Sequence, residues 1–214
     1  MQKTKRPSAP PAEQRIVLHG ISWETYESLL SDHEDKSAPR FTYDRGTLEI
    51  ISPSPAHERT NRRLSQLVLE ICAARDLEAE DFGSTTYKRE DIERGFEPDS
   101  CFYIENEPLV RDKDRLDLEV DPPPDLVVEI DVTSFSLDKL PLYAGIRVPE
   151  VWRYEDAKLE ILRLDSGSYR KSAESKCLAG IRADALTDLM QKRKSLRRAE
   201  WLKKIREAAR KNPR

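Results

Sequence analysis

Pro124-Asp125-Leu126-Val127-Val128-Glu129-Ile130-Asp131-Val132 is a β-branched run that follows two further prolines and carries three carboxylates. Side chains alternate along a strand, so Asp125, Val127, Glu129 and Asp131 share one face, and Leu126, Val128 and Ile130 the other. An ionised group in such a run is costly unless a cation or hydrogen bonds hold it. Upstream, Glu97-Pro98-Asp99-Ser100-Cys101-Phe102-Tyr103-Ile104 places Asp99 at the start of a second strand of the same character. Two carboxylates from neighbouring strands make a site for a hard divalent cation, which needs only one or two of them plus water and a substrate phosphate. The expected ion is Mg2+ (or Mn2+), with Asp99 and Glu129 as ligands, activating water for phosphodiester cleavage. Lys139, on the helix expected next, is placed to orient the water and offset the developing charge. Asp125, at the strand start behind prolines, reads instead as a solvated residue.

The 214 residues and 24.7 kDa suit one domain. Charged residues make up 36% of the chain and the mean hydropathy is -0.73, yet the apolar residues gather into strand-length and helix-length runs, so the middle is expected to be globular. No run approaches the roughly 20 apolar residues of a membrane span, and the N-terminus lacks a signal-peptide core. A soluble, cytoplasmic protein with no membrane partner is the expectation. Cys72, Cys101 and Cys177 are odd in number and widely spaced, which excludes a disulfide framework and reads as core packing. No Ser-His-Asp order, P-loop or Gly-rich nucleotide fingerprint is present.

Residues 1–15 lack periodicity and are expected to be disordered, residues 16–187 to form the domain, and 188–214 a basic helical tail. From Asp188 onward eleven Lys or Arg stand against three acids, so the tail carries about +8 and the rest about -11 of a net -3. Ser22 caps a helix through about Leu30. Arg40 to Tyr43 and Thr47 to Ile51 form a hairpin around Gly46. Leu64, Leu67, Val68, Ile71 and Cys72 mark a helix over about 56–75. Strands are expected over about 85–88, 99–104, 126–132, 150–154 and 159–164, with a surface loop at 105–124. A short helix spans 136–143, capped by Ser134 or Ser136 and interrupted by Pro141. The basic segment 191–211 carries Lys192, Arg193, Lys194, Arg197 and Arg198, candidates for nucleic-acid backbone contacts, though charge runs are as often a solvated or partner-docking face. His57, next to Glu58, reads as an ordinary helix-start residue.

Taken in order, four stretches resemble the Uma-two-type endonucleases of the restriction-endonuclease-like PD-(D/E)xK superfamily. They are Gly46-Thr47-Leu48-Glu49-Ile50-Ile51-Ser52-Pro53-Ser54-Pro55-Ala56-His57-Glu58, Glu97-Pro98-Asp99, Pro123 to Ile130, and Asp138-Lys139-Leu140-Pro141 through Trp152. The resemblance implies an α/β fold with a central mixed sheet flanked by helices, and Asp99 and Glu129 as metal ligands. It also implies a lysine displaced from its strand to the following helix, where Lys139 stands, while Asp131 takes the usual lysine place. Glu58 and Glu49 would join the catalytic set. The expected function is a Mg2+-dependent DNA endonuclease, with a homodimer among its assembly states. Two alternatives are a nuclease-derived nucleic-acid-binding module with weak or lost cleavage, favoured by the extra charge of Asp131, and a structural or oligomerising protein that uses the tail.

Overall fold

The computed structural model describes residues 13–34, 36, 38–131 and 137–211, with the Asp131 side chain outside that description. In chain order the elements are β1 (Gln14–His19), α1 (Trp23–Ser31), β2 (Arg40–Asp44), β3 (Thr47–Ser52), α2 (Pro55–Ala73), β4 (Glu80–Asp81), β5 (Tyr87–Arg89) and β6 (Arg94–Phe96). There follow β7 (Ser100–Tyr103), α3 (Glu107–Val110), β8 (Leu126–Asp131), α4 (Leu140–Gly145), β9 (Glu150–Glu155), β10 (Lys158–Asp165), β11 (Ser168–Ser172), α5 (Ala183–Lys192) and α6 (Arg198–Lys211). They build a five-stranded sheet in the order β1-β3-β2-β6-β5 and a six-stranded sheet in the order β11-β10-β9-β8-β7-β4. Every pairing in both is antiparallel except β8 with β9, which are joined through α4. The result is the expected mixed α/β architecture.

Strand β8 shows how the sequence sets the layers. Leu126, Val128 and Ile130 pack with Leu64, Val68 and Ile71 of α2 and with Leu186, Trp201 and Ile205 of the last two helices. Val127 points the other way, into Leu142, Tyr143 and Ile146 around α4 and Tyr87 and Phe96 of the smaller sheet. Helices thus cover both faces, and Glu129 faces the α4 side, bonded to Lys139 and Tyr143. Helix α2 starts where Ser54 accepts a hydrogen bond from the His57 amide at 3.1 Å, with Pro55 in its first turn. Pro141 likewise lies in the first turn of α4, where a missing N–H breaks no helical bond, so the proline expected to interrupt this helix begins it. In the β2–β3 hairpin Arg45 (φ 44°) and Gly46 (φ 87°) both take the left-handed conformation that a two-residue hairpin turn requires. Helix α1 packs Trp23 and Tyr26 on Phe41, Tyr43 and Leu48.

Several expectations change. Gln14 and Arg15, assigned to an unstructured leader, begin β1, which pairs with β3 from Gln14 opposite Ser52; residues 1–12 lie outside the described residues, as do the cap candidates Ser134 and Ser136. Strand β11 was not anticipated, and the 105–124 loop contains α3. Asp125 is buried, not solvated: its carboxylate accepts from the Ile104 amide (2.7 Å), the Asn106 amide (2.9 Å) and Asn106 Nδ2 (2.7 Å), so it ties down the loop start. The boundary drawn at 187/188 falls inside α5, and the basic segment is two helices packed into the main core through Leu189, Met190, Trp201, Ile205 and Ala209.

Candidate active site

Antiparallel pairing of β7 with β8 sets Ser100 opposite Val128 and Cys101 opposite Val127. Asp99, the residue just before β7, and Glu129 of β8 line the same cleft. Lys139, the N-cap of α4, donates from Nζ to Glu129 Oε2 at 2.9 Å; the two side chains are only 13% and 16% exposed. One turn on, the buried Tyr143 donates its hydroxyl to Glu129 Oε1. Asp99 Oδ1 accepts from Arg40 and from His57 Nε2 (2.8 Å), and Oδ2 from the Ile130 amide (2.8 Å). Asn61 of α2 holds the Asp99 carbonyl at 2.7 Å.

His57 sits between two carboxylates, with Nδ1 2.7 Å from Glu13 Oε2. Burial opposes its charge, but hydrogen bonds to Asp99 and Glu13 outweigh burial and raise the imidazolium to about 9. Burial likewise pushes Asp99 up, and is overcome by the His57 hydrogen bond and the charges of His57, Lys139 and Arg40, leaving the carboxyl below its ordinary value. Glu129 ends above its ordinary value because burial and the Asp99 charge exceed what Lys139 and Tyr143 supply. Burial alone would lower Lys139, but the Glu129 and Asp99 charges win and keep it protonated. Burial and neighbouring charges thus move the two acids in opposite directions, Asp99 below and Glu129 above its ordinary value.

A pH effect follows for the metal-free protein. With a folded value above the ordinary imidazole value of about 6.5, His57 contributes stability that is full below that pH and is lost as pH rises through about 9. Urea unfolding in chelator across pH 6 to 10 should show the wild type losing its advantage over His57→Gln as pH rises. A constant difference would mean that His57 is neutral in the folded protein.

The other expected residues lie around this core. Glu58 is one remove away, with Arg40 Nη2 3.3 Å from its carboxylate on one side and Arg62 Nε at 2.8 Å on the other. Glu49 is fully buried on β3; Oε2 accepts from the Leu137 amide at 3.0 Å with Arg15 Nη1 at 3.4 Å, and Oε1 has no hydrogen-bond partner among the described residues. Lys192, Arg193, Lys194, Arg197 and Arg198 lie outside the cluster, at the α5–α6 turn. A cleft of about 80 Å³ opens over Asp99, Glu129 and Lys139, walled by Arg15, His57 and Arg153. Arg153 neighbours Glu129 across the parallel pair and binds Glu160 at 2.9 Å.

Arg40, Glu13, Arg15, Tyr143 and Arg153 were not among the expected site residues. For Tyr143 a signal existed, since it falls four residues after Lys139 and thus on the same helix face. For the arginines and Glu13, partners are fixed only by the sheet pairing.

The donor set fits a hard divalent ion. A carboxylate oxygen has two lone pairs. Asp99 Oδ1 uses both, while Asp99 Oδ2 and both Glu129 oxygens each accept one hydrogen bond and keep an acceptor position. Two carboxylates supplemented by water are what Mg2+ uses, so the absence of three clustered His, Cys, Asp or Glu side chains among the described residues is compatible with it.

No curated protein matches the sequence. A crystal structure described as that of a "putative nuclease belonging to DUF820" from Anabaena variabilis ATCC 29413 is similar at a TM-score of 0.48 and 14% identity, over 88% of this chain and 99% of that one. The Uma2 family model, described as "Putative restriction endonuclease", matches residues 23–182, a span that includes Asp99, Glu129, Lys139, Glu49 and Glu58. With well over half of its residues matched, the chain belongs to the Uma2 family.

Proposed function

We propose that the protein is a Mg2+-dependent endonuclease that hydrolyses phosphodiester bonds in DNA. The observation that carries this is the convergence of Asp99 and Glu129 on one cleft, with Lys139 Nζ 2.9 Å from Glu129. Asp99 Oδ2 and Glu129 would hold the metal ion, which when bound supplies Lewis acidity and a water of lowered pKa. Arg40, His57 and the Ile130 amide keep Asp99 ionised and fixed. Tyr143 fixes the rotamer of Glu129. An ammonium has three donors, and Lys139 uses one on Glu129, so the others can reach a phosphate oxygen and the attacking water in the cleft. Arg15 and Arg153 line the same cleft and add positive charge beside a scissile phosphate.

A second reading is a nuclease-derived binding module that cleaves weakly or not at all. It is favoured by Asp99 Oδ1, already filled by two cationic side chains. DNA is the proposed partner in both; among the described residues no helix is long and apolar enough to cross a membrane. Incubation with supercoiled plasmid and Mg2+ or Mn2+ separates the readings. The endonuclease nicks it, and Glu129→Gln does not. Binding without nicking by the wild type, in either metal, leaves the module reading.

A further inference from the structure

Helices α2 and α6 lie side by side and run the same way. Arg198 Nε donates to Gln66 Oε1 at 3.2 Å, Arg206 Nε to Glu70 Oε2 at 2.7 Å, and Arg75 Nε to the Ala209 carbonyl at 2.9 Å. Helix α6 therefore begins beside Gln66, and the first turns of α2 extend past it, alongside the α5–α6 turn. Arg63 and Arg59 precede Gln66 by three and seven residues, so they continue its stripe toward that turn. Arg193 is anchored there, its guanidinium 5.7 Å over the Trp201 ring and Nη1 3.1 Å from the Leu196 carbonyl.

Six cations thus crowd one surface strip: Arg59, Arg63, Arg193, Lys194, Arg197 and Arg198. None of these side chains forms an ion pair among the described residues, although Glu200 Oε2 accepts from the Arg197 amide at 3.2 Å and the neighbours Arg62, Lys192 and Arg206 are matched to Glu58, Asp188 and Glu70. Burial and then the like charges of Arg193 and Arg59 lower the Arg63 guanidinium below its ordinary value. Like charges gathered without a counterion are unfavourable, and an external polyanion removes the repulsion. The strip also leads to the cleft. His57, which bonds Asp99, stands six residues before Arg63 on α2, about 9 Å along the axis.

We infer that this strip, built from the first turns of α2 and the α5–α6 turn, binds the sugar-phosphate backbone of a nucleic acid and leads it to the Asp99–Glu129 cleft. The inference rests on the endonuclease reading and assigns the surface that reading lacks. Arginine suits it, because its fork matches phosphate oxygens in pairs.

The test is DNA affinity as a function of salt, in Ca2+ to hold turnover down, for wild type and the triple variant Arg59→Gln, Arg63→Gln, Arg197→Gln. None of the three holds a carboxylate, and Arg193 with its Trp201 contact is left intact, so thermal stability should be kept. Each phosphate contact contributes roughly 0.9 to the slope of log affinity against log salt on duplex DNA, so three contacts predict a loss of about 2.7. The matched variant Lys204→Gln, Arg210→Gln, Lys211→Gln removes the same charge further along α6 and should keep the wild-type slope. A triple variant that is folded, nicks plasmid and retains the wild-type slope overturns the strip alone. Equal loss in both variants also overturns it, by reducing the effect to net charge. A wild type with no DNA affinity at all overturns the strip and the endonuclease reading together.

Discussion

Truncation after Thr187 is expected to abolish cooperative folding instead of releasing a basic tail. The removed segment supplies Leu189, Met190, Trp201, Ile205 and Ala209, all buried against α2 and the six-stranded sheet. Trp201 also donates from Nε1 to the Leu189 carbonyl at 2.7 Å, so its polar atom is satisfied inside the core. Replacing one such tryptophan by alanine costs about 3–5 kcal/mol. Whole domains are stable by only about 5–15 kcal/mol, so losing the full set exceeds what the rest can absorb. Thermal unfolding followed by circular dichroism should show no cooperative transition for the truncated chain, and a destabilisation of about 3–5 kcal/mol for Trp201→Ala. A truncated protein melting at the wild-type temperature would make the last two helices dispensable.

Lys139→Ala should lower metal-dependent cleavage by about 10²-fold or more, the usual loss when a preorganised transition-state contact is removed. Its effect on the metal-free protein should be large as well. Lys139 is the cation bonded to Glu129, and removing one partner of a buried pair typically costs about 3–5 kcal/mol because a charge is left uncompensated. Metal binding should survive, since Lys139 shares Glu129 with the ion instead of ligating it. Added Mn2+ should therefore raise the melting temperature of the variant more than that of the wild type. Unchanged cleavage would remove Lys139 from the mechanism, and failure of Mn2+ to stabilise the variant would remove the carboxylate pair as its site.

What could be read from the sequence depended on whether local chemistry or tertiary pairing decided each residue. The β8 run was legible because acids cannot alternate with valines on a buried strand without a reason, and Asp99, just before β7, follows from the same logic. Lys139 was legible from its place at the helix after Glu129. Asp125 was misread because prolines before a strand say nothing about the loop that folds over it; three donors from Ile104 and Asn106 make it a buried anchor. Strand β1 escaped notice because Ile16, Val17 and Leu18 form a short apolar run beside a charged, proline-rich leader, and they remain largely exposed on an edge strand. Arg40 reads as any strand arginine until β2 is folded near α2, where it joins Asp99 to Glu58. The packing of the basic segment was hidden for the opposite reason: its charges are conspicuous, while Leu189, Trp201 and Ile205 are spaced across two helices whose turn at 193–197 breaks one continuous stripe.

Anomalous diffraction from crystals soaked in Mn2+ shows whether Asp99 and Glu129 share one divalent ion. A single anomalous peak is expected at about 2.0–2.2 Å from a carboxylate oxygen of each residue, with Lys139 still at Glu129 and waters completing the shell. Crystals in which Arg40 and His57 remain on Asp99, Lys139 remains on Glu129, and no peak lies between the two carboxylates at saturating Mn2+ would contradict a shared ion.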